Sequence, residues 1–422
     1  MYWIALWPSH DDERTAWSWR GLQFTPRVAW LDEALVLEVS ATQRLWGGRR
    51  KLLKQLLDVG DVLTPSPWAS GATAQVALAL LQLKRRNEDK PASVDGLPVD
   101  TLTAALPHVP VIERMGCRTW GQLRALPRAG LARRFGAALV DALDRAYGEA
   151  SESHAWVTAP ETFDVKHELM ALATTAPELM WTAQRLLSKL HLWLQARNRG
   201  VLAIELEWTL DLRRLNGKLL PPAESLQVRT ARPTQDMAHV RKLVNEHLSR
   251  AALAAPANHL RIRTIETVPW GGLPASLLPE DNKPGEKLHE FVERLSVRLG
   301  EGNVLVCEEH EDHRPEQMES WVPARSHPAN TSRHTAPEAL YPTWLLPRPV
   351  ELQTRSDIPQ YGGPLRRLTR LYRVETAWWE EGGPACRDYF IAKSGEAGLV
   401  WIYRERPVSE GASRWYLQGL YA

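Results

Sequence analysis

Cysteine is nearly missing from this chain: Cys117, Cys307 and Cys386 are the three in 422 residues, too few for a disulfide-built scaffold. No apolar run reaches the roughly 18–20 residues that cross a bilayer. The opening residues, Met1 to Pro8, lack the basic flank and the apolar length of a signal peptide. The expected location is the cytoplasm, with no membrane partner. Net charge is only +2, so a nucleic-acid role has to rest on local patches. A G-x-x-x-x-G-K-[ST] phosphate loop is absent, no spacing argues a Ser/His/Asp arrangement, and no fixed-period repeat is found. Nine tyrosines and five phenylalanines are outnumbered by 19 tryptophans. Trp3, Trp7, Trp17, Trp19, Trp30, Trp46 and Trp68 fall mostly at core-type spacing and read as packing residues rather than base-stacking platforms.

What is present divides into blocks, and the length predicts two to four domains at roughly 100–200 residues each. In residues 1–105, Tyr2–Trp7 reads as a buried strand, Arg27–Trp30 and Ala34–Ser40 as two more, and Leu45 onward and Gly71–Leu83 as helices, an α/β layer. Residues 106–153 are helical. Gly116-Cys117-Arg118-Thr119 predicts a tight turn opening a helix, with Thr119 as its N-cap. Pro127–Gly130 breaks the chain again before Leu131–Tyr147, a helix-hairpin-helix arrangement. Residues 154–308 run β-α-β-β-α-β, the split ferredoxin-like order. In it Ile204, Leu206, Trp208 and Leu210 alternate along one strand, and the first helix stops at Gly200. A further amphipathic helix (Leu288, Val292, Leu295, Leu299) and the strand Val304–Cys307 follow, completing this sheet or the first. Nine prolines in the 57 residues 309–365 predict a linker, and residues 366–422 a small aromatic-rich antiparallel module.

Several residue groups bear on chemistry. Asp32-Glu33 opens an apolar strand. Paired carboxylates at a strand edge hold Mg²⁺ when a neighbouring strand adds a third; Tyr2–Trp7 has no acid, so the pair reads as a solvated turn between strands and no two-metal site is expected. Cys307-x2-His310-x2-His313 has zinc-type residues without a zinc-type spacing and reads as a charged loop. Between Arg114 and Val140 stand Arg114, Arg118, Arg124, Arg128, Arg133 and Arg134 and no acid. With Gly116 and Thr119 at the turn, this window predicts contacts to DNA phosphates. Arg261 and Arg263, on one side of a strand, and Arg197 and Arg199 before Gly200 form a second candidate surface.

Leu22–Val28, Leu31–Ala34, Leu37–Ser40 and Arg44-Leu45-Trp46-Gly47-Gly48 resemble the palm of the ImuB family, polymerase-like proteins of the bacterial mutasome related to Y-family translesion polymerases. Gly116–Leu123 with Leu126-Pro127 is similar to the thumb. Trp378-Trp379, Arg387–Phe390 and Trp415–Gly419 are similar to the family's C-terminal region. The resemblance implies a multidomain α/β and α+β chain: a truncated palm with the fingers missing, a helix-hairpin-helix thumb, a ferredoxin-like little finger and a small β module. Active Y-family enzymes use an aspartate on the first strand together with the Asp-Glu pair; here that neighbourhood is Leu6, Trp7 and Pro8, and only about twenty residues separate it from Asp32. Asp32 and Glu33 are then vestigial, and no metal or other cofactor is implied. The expected role is a non-catalytic scaffold in SOS-induced translesion synthesis, mutagenesis and DNA repair. Its implied partners are damaged primer–template DNA, an error-prone replicative-type polymerase, an ImuA-like RecA-related protein and the sliding clamp. Neither Gln43–Trp46, placed in the palm core, nor Gln360–Leu365, placed in an exposed segment, fits a clamp-binding peptide well. Two other readings stay open: an active Mg²⁺-dependent polymerase using Asp32, Glu33 and Asp11 or Asp12, and a protein adaptor without DNA binding.

Overall fold

The computed structural model describes residues 1–60, 62–215, 217–271, 288–324, 340–376, 384–406 and 414–421. Trp378-Trp379 lies outside them. The chain divides into two compact units, Met1–Glu286 and Lys287–Ala422.

In the first unit, β1 (Trp3–Leu6), β2 (Val28–Leu31), β3 (Ala34–Glu38) and β4 (Trp68–Gly71) make an antiparallel sheet in the order β2-β3-β1-β4. Every residue of β1 and β3 is buried, which is why these strands read as unbroken apolar runs. Trp3, Ala5, Ala34 and Val36 pack against Ala74, Ala77, Leu78 and Leu81 of α3 (Ala74–Arg85). Val28 and Leu37 meet α1 (Arg14–Leu22) at Gly21, where a Cβ would stand 3.1 Å from Leu37 Cδ2. β4 has no alternation to betray it. The helix expected from Leu45 starts only at Arg49: α2 spans Arg49–Leu57, and Leu45, 82% exposed, sits in the turn before it. Gln43–Trp46 is thus a surface turn, with Trp46 alone packed inward on Phe24.

Four short helices follow: α4 (Val109–Arg114), α5 (Trp120–Arg124), α6 (Arg128–Phe135) and α7 (Ala137–Tyr147). Leu131–Tyr147 is not one helix, because Gly136 takes φ +89° and splits it. Trp120, Leu123, Leu131, Phe135, Leu139 and Leu143 share a core with Val76, Ala79 and Leu83 of α3. The chain then doubles back over the first sheet. The Glu152 carboxylate accepts from the Ala74 N–H at the start of α3, and Val157 N–H donates to the Val28 carbonyl.

β5 (Asp164–Ala173), α8 (Met180–Arg197), β6 (Arg199–Leu210), a small β7–β8 hairpin (Arg214–Leu215, Lys218–Leu219), β9 (Ala223–Thr234), α9 (Met237–Arg250) and β10 (Ala257–Pro269) complete the unit. The β-α-β-β-α-β order is as read. The sheet order β5-β10-β6-β9 makes both β-α-β units split, the first by β10 and the second by β6. Asn198, in the left-handed conformation, ends α8. Gly200 lies inside β6, where a Cβ would come within 2.7 Å of Trp270.

The second unit corrects two expectations. β11 (Leu305–Glu309) joins neither earlier sheet but pairs with β12 (Glu319–Pro323) in a separate hairpin. The 309–365 segment is not a plain linker: it carries β12, β13 (Trp344–Leu352), β14 (Thr354–Arg355) and β15 (Ile358–Pro359). Prolines break helical and alternating patterns yet are tolerated at strand edges and bulges, and β13 is bulged between Leu345 and Val350. It pairs with β20, extending the module upstream of residue 366: β13-β20-β19-β18-β16, with β17 also on β18, from β16 (Arg366–Arg367), β17 (Tyr372–Thr376), β18 (Ala385–Ser394), β19 (Gly398–Glu405) and β20 (Arg414–Leu420). Within Gln360–Leu365, Gly362, Gly363 and Pro364 are exposed, while Leu365 is buried in this module's core and Tyr361 packs against it. In α10 (Leu288–Leu299), the buried residues are Glu293 and Ser296, while Leu288 and Leu299 are exposed.

Candidate nucleic-acid interface

The acidic pair occupies a two-residue turn between β2 and β3, both side chains exposed. Asp32 takes φ +54° and its Oδ2 accepts from Thr103 Oγ1 at 2.6 Å. The other acids near the amino terminus are engaged elsewhere. Glu13 accepts from the Thr64 N–H and hydroxyl, Asp11 faces Arg14 at 3.7 Å and Asp12 faces Arg185 at 4.0 Å. Just past β1, the half-buried Trp7 carries the Arg85 guanidinium 3.4 Å from its ring centre. A fixed positive charge on an apolar ring repels a divalent cation and offers it no oxygen. Among the described residues, no three His, Cys, Asp or Glu side chains converge. Nothing in the spacing of Arg85 pointed to this contact. In the Cys307–His313 stretch, Cys307 Sγ faces Glu319 and His310 Nε2 meets Ser320 Oγ at 2.7 Å, both within the β11–β12 hairpin.

The turn before α5 forms as read. Gly116 takes φ +86°. Thr119 and Gln122 build a reciprocal capping box, and Gln122 Oε1 also accepts from the Arg118 N–H at 2.7 Å. The arginines around it separate into two classes. Arg124 pairs with Glu149 and lies 4.0 Å over Tyr147. Arg128 makes a bidentate pair with Asp144 at 2.5 and 2.6 Å, and its hydrogen bonds hold the Asp144 carboxyl below the usual carboxylate range. Both acids lie outside the acid-free window and reach it only through the fold. Arg114 donates to the Pro110 carbonyl, and Arg134 lies 5.6 Å over Phe135. Arg114, Arg118, Arg133 and Arg134 are exposed and make no ion pair among the described residues.

On the second sheet the charges cancel. Register sets Arg261 opposite Glu207 and Arg263 opposite Glu205. Arg261 also forks onto Asp164, whose pKa is lowered chiefly by that hydrogen bond; Arg263 pairs with Glu205 and Arg229 with Glu266. Arg199 donates to Thr267 Oγ1 at 2.7 Å. Arg197, exposed at the end of α8, makes no ion pair among the described residues. A cleft of about 600 Å³ beside Arg20 is lined by Gln23, Gln55, Gln195 and Gln235. Its guanidinium is spent on the Gln55, Leu56 and Asp58 carbonyls and on Gln23.

No family model matches the chain, and among the described residues no helix is long and apolar enough to cross a membrane. Solved structures it resembles include a Dbh ternary complex with partially disordered substrates (12% identity, 62% of this chain and 80% of that one, TM-score 0.27). Another is DinB from Sulfolobus solfataricus (12%, 62% and 78%, TM-score 0.26). Protein ImuB of Caulobacter vibrioides, in strains NA1000/CB15N and ATCC 19089, is 28% identical over 431 residues, covering 95% of this chain and 91% of that protein. At 95% of this chain the similarity to Protein ImuB reaches into both compact units.

Proposed function

We propose that this protein is a non-catalytic, Y-family-like scaffold of SOS-induced translesion DNA synthesis. It holds primer–template DNA and brings an error-prone replicative-type polymerase, an ImuA-like protein and the sliding clamp to it. Residues 106–153 act as the thumb and 154–271 as the little finger, and the second unit carries protein contacts. The observation that carries the non-catalytic reading is the Arg85–Trp7 stack beside a first strand without a carboxylate, with Asp32 turned to Thr103. Positioning by such a scaffold raises the effective concentration of its partners and forms no bond itself.

The DNA reading rests on Arg114, Arg118, Arg133, Arg134 and Arg197, not on the neutralised Arg261 and Arg263. A phosphate contact contributes about 0.9 to the slope of log K against log salt. Changing Arg118, Arg133 and Arg134 together to alanine is therefore expected to flatten that slope by about 2–3. Affinity for a primed duplex should fall more than about tenfold at low salt. Arg261→Ala with Arg263→Ala leaves both nearly unchanged. Fluorescence anisotropy over a salt series reads both variants; the reverse ranking overturns the assignment. The charge cancellation on the second sheet favours the adaptor reading instead if the wild type binds no duplex even at low salt.

A further inference from the structure

A second acid-free basic stretch exists, and the fold leaves it unneutralised. From Val39 to Leu57 there is no Asp or Glu, while Arg44, Arg49, Arg50, Lys51 and Lys54 are all present. All five are exposed, and none makes an ion pair among the described residues. Arg49 is held in place, its guanidinium 4.5 Å over Tyr2 and its Nε donating to Gln43 Oε1 at 2.9 Å. Leu52 and Leu56 anchor α2 in the core, so the cations project from a fixed helix.

The arrangement works against the helix that bears it. Arg49, Arg50 and Lys51 fill the first turn of α2, where no acid stands and where the helix dipole disfavours positive charge. Arg50 and Lys54 are a like-charged i,i+4 pair, which destabilises an isolated helix. Sequences that break a local rule without a local gain do so most often at functional sites. A polyanion relieves both repulsions at once, and a duplex, with one charge per roughly 1.7 Å of axis, has the density to meet several of these cations together.

We infer that the α2 surface is a second contact for the phosphate backbone of duplex DNA, separate from the turn and helices of residues 114–134. This rests on the proposal that the protein binds DNA. The test uses the full chain and a primed duplex over a salt series. Arg50→Gln, Lys51→Gln and Lys54→Gln together are expected to weaken binding at least about tenfold at low salt and to flatten the salt slope by about 2–3. Arg50→Glu with Lys51→Glu should weaken it further while leaving the melting temperature unchanged or raising it, because acids suit the first turn. That paired gain in stability and loss in binding is not expected of a merely structural role. Unchanged affinity and slope in both variants, alongside a response at Arg118, Arg133 and Arg134, overturn this contact alone. A wild type that binds no duplex overturns it together with the DNA reading. Tighter binding to phosphatidylserine vesicles than to duplex, lost in the same variants, reassigns the patch to a membrane surface and overturns it too.

Discussion

Replacing Asp388 with alanine is expected to destabilise the second unit by about 2–3 kcal/mol and to lower its melting temperature by on the order of 10 °C. Asp388 is fully buried in β18. Its Oδ1 accepts from Arg373 Nε at 2.8 Å and its Oδ2 from Arg404 Nη2 at 3.4 Å. Removing the carboxylate leaves Arg404 without its ion-pair partner and Arg373 with only the exposed Glu375, 4.0 Å away. Their partial exposure lets water screen them, which puts the loss at the lower end of what breaking a buried pair costs. Burial alone would push this carboxyl up; the hydrogen bonds from Arg373 and Arg404 outweigh it, and the pKa stays below the ordinary value. A depressed folded-state pKa means that this stabilisation is complete above the unfolded value, near 4, and is lost as pH falls through the folded one. Urea titration followed by tryptophan fluorescence, which Trp401 and Trp415 of this core report, should show the wild type losing stability below about pH 4. The alanine variant should lose less over that range. A variant as stable as the wild type at pH 7 refutes the assignment.

Trp120→Ala is the second large effect. The indole is fully buried where α5 meets α3, α6 and α7, while the backbone N–H of Trp120, which donates to the Leu97 carbonyl at 2.8 Å, is kept in the variant. Emptying a tryptophan-sized site costs about 3–5 kcal/mol when the surroundings cannot collapse. Thr119 and Arg118 immediately precede this residue, so the variant also loosens the turn that presents the arginines. Duplex affinity is expected to fall with stability, and Trp120→Phe to restore most of both. Equal loss in the phenylalanine and alanine variants would show that packing volume is not the cause.

The core of each sheet was legible because burial writes itself into period: Ile204, Leu206, Trp208 and Leu210 are all buried as the alternation requires, and the Thr119 cap formed with its reciprocal Gln122. Strand β4 was hidden because Trp68-Ala69-Ser70-Gly71 is half-buried throughout and shows neither period. Proline density misled for β13, whose bulge absorbs the breaks. The charge map was the least legible part. A window free of acid in sequence need not be free of acid in space, since Asp144 and Glu149 return to Arg128 and Arg124 through α7 and the turn beyond it. Likewise Glu205 and Glu207 were visible, but only the β6–β10 register showed that they face Arg263 and Arg261.

A scaffold holds primed DNA without extending it, whereas a polymerase extends it. The purified 422-residue chain is to be mixed with a primed template, all four deoxynucleotides and Mg²⁺, and binding and primer length followed on the same DNA. Saturable, salt-sensitive binding with no added nucleotide is the expected result. Primer elongation that disappears on Asp32→Ala would contradict it.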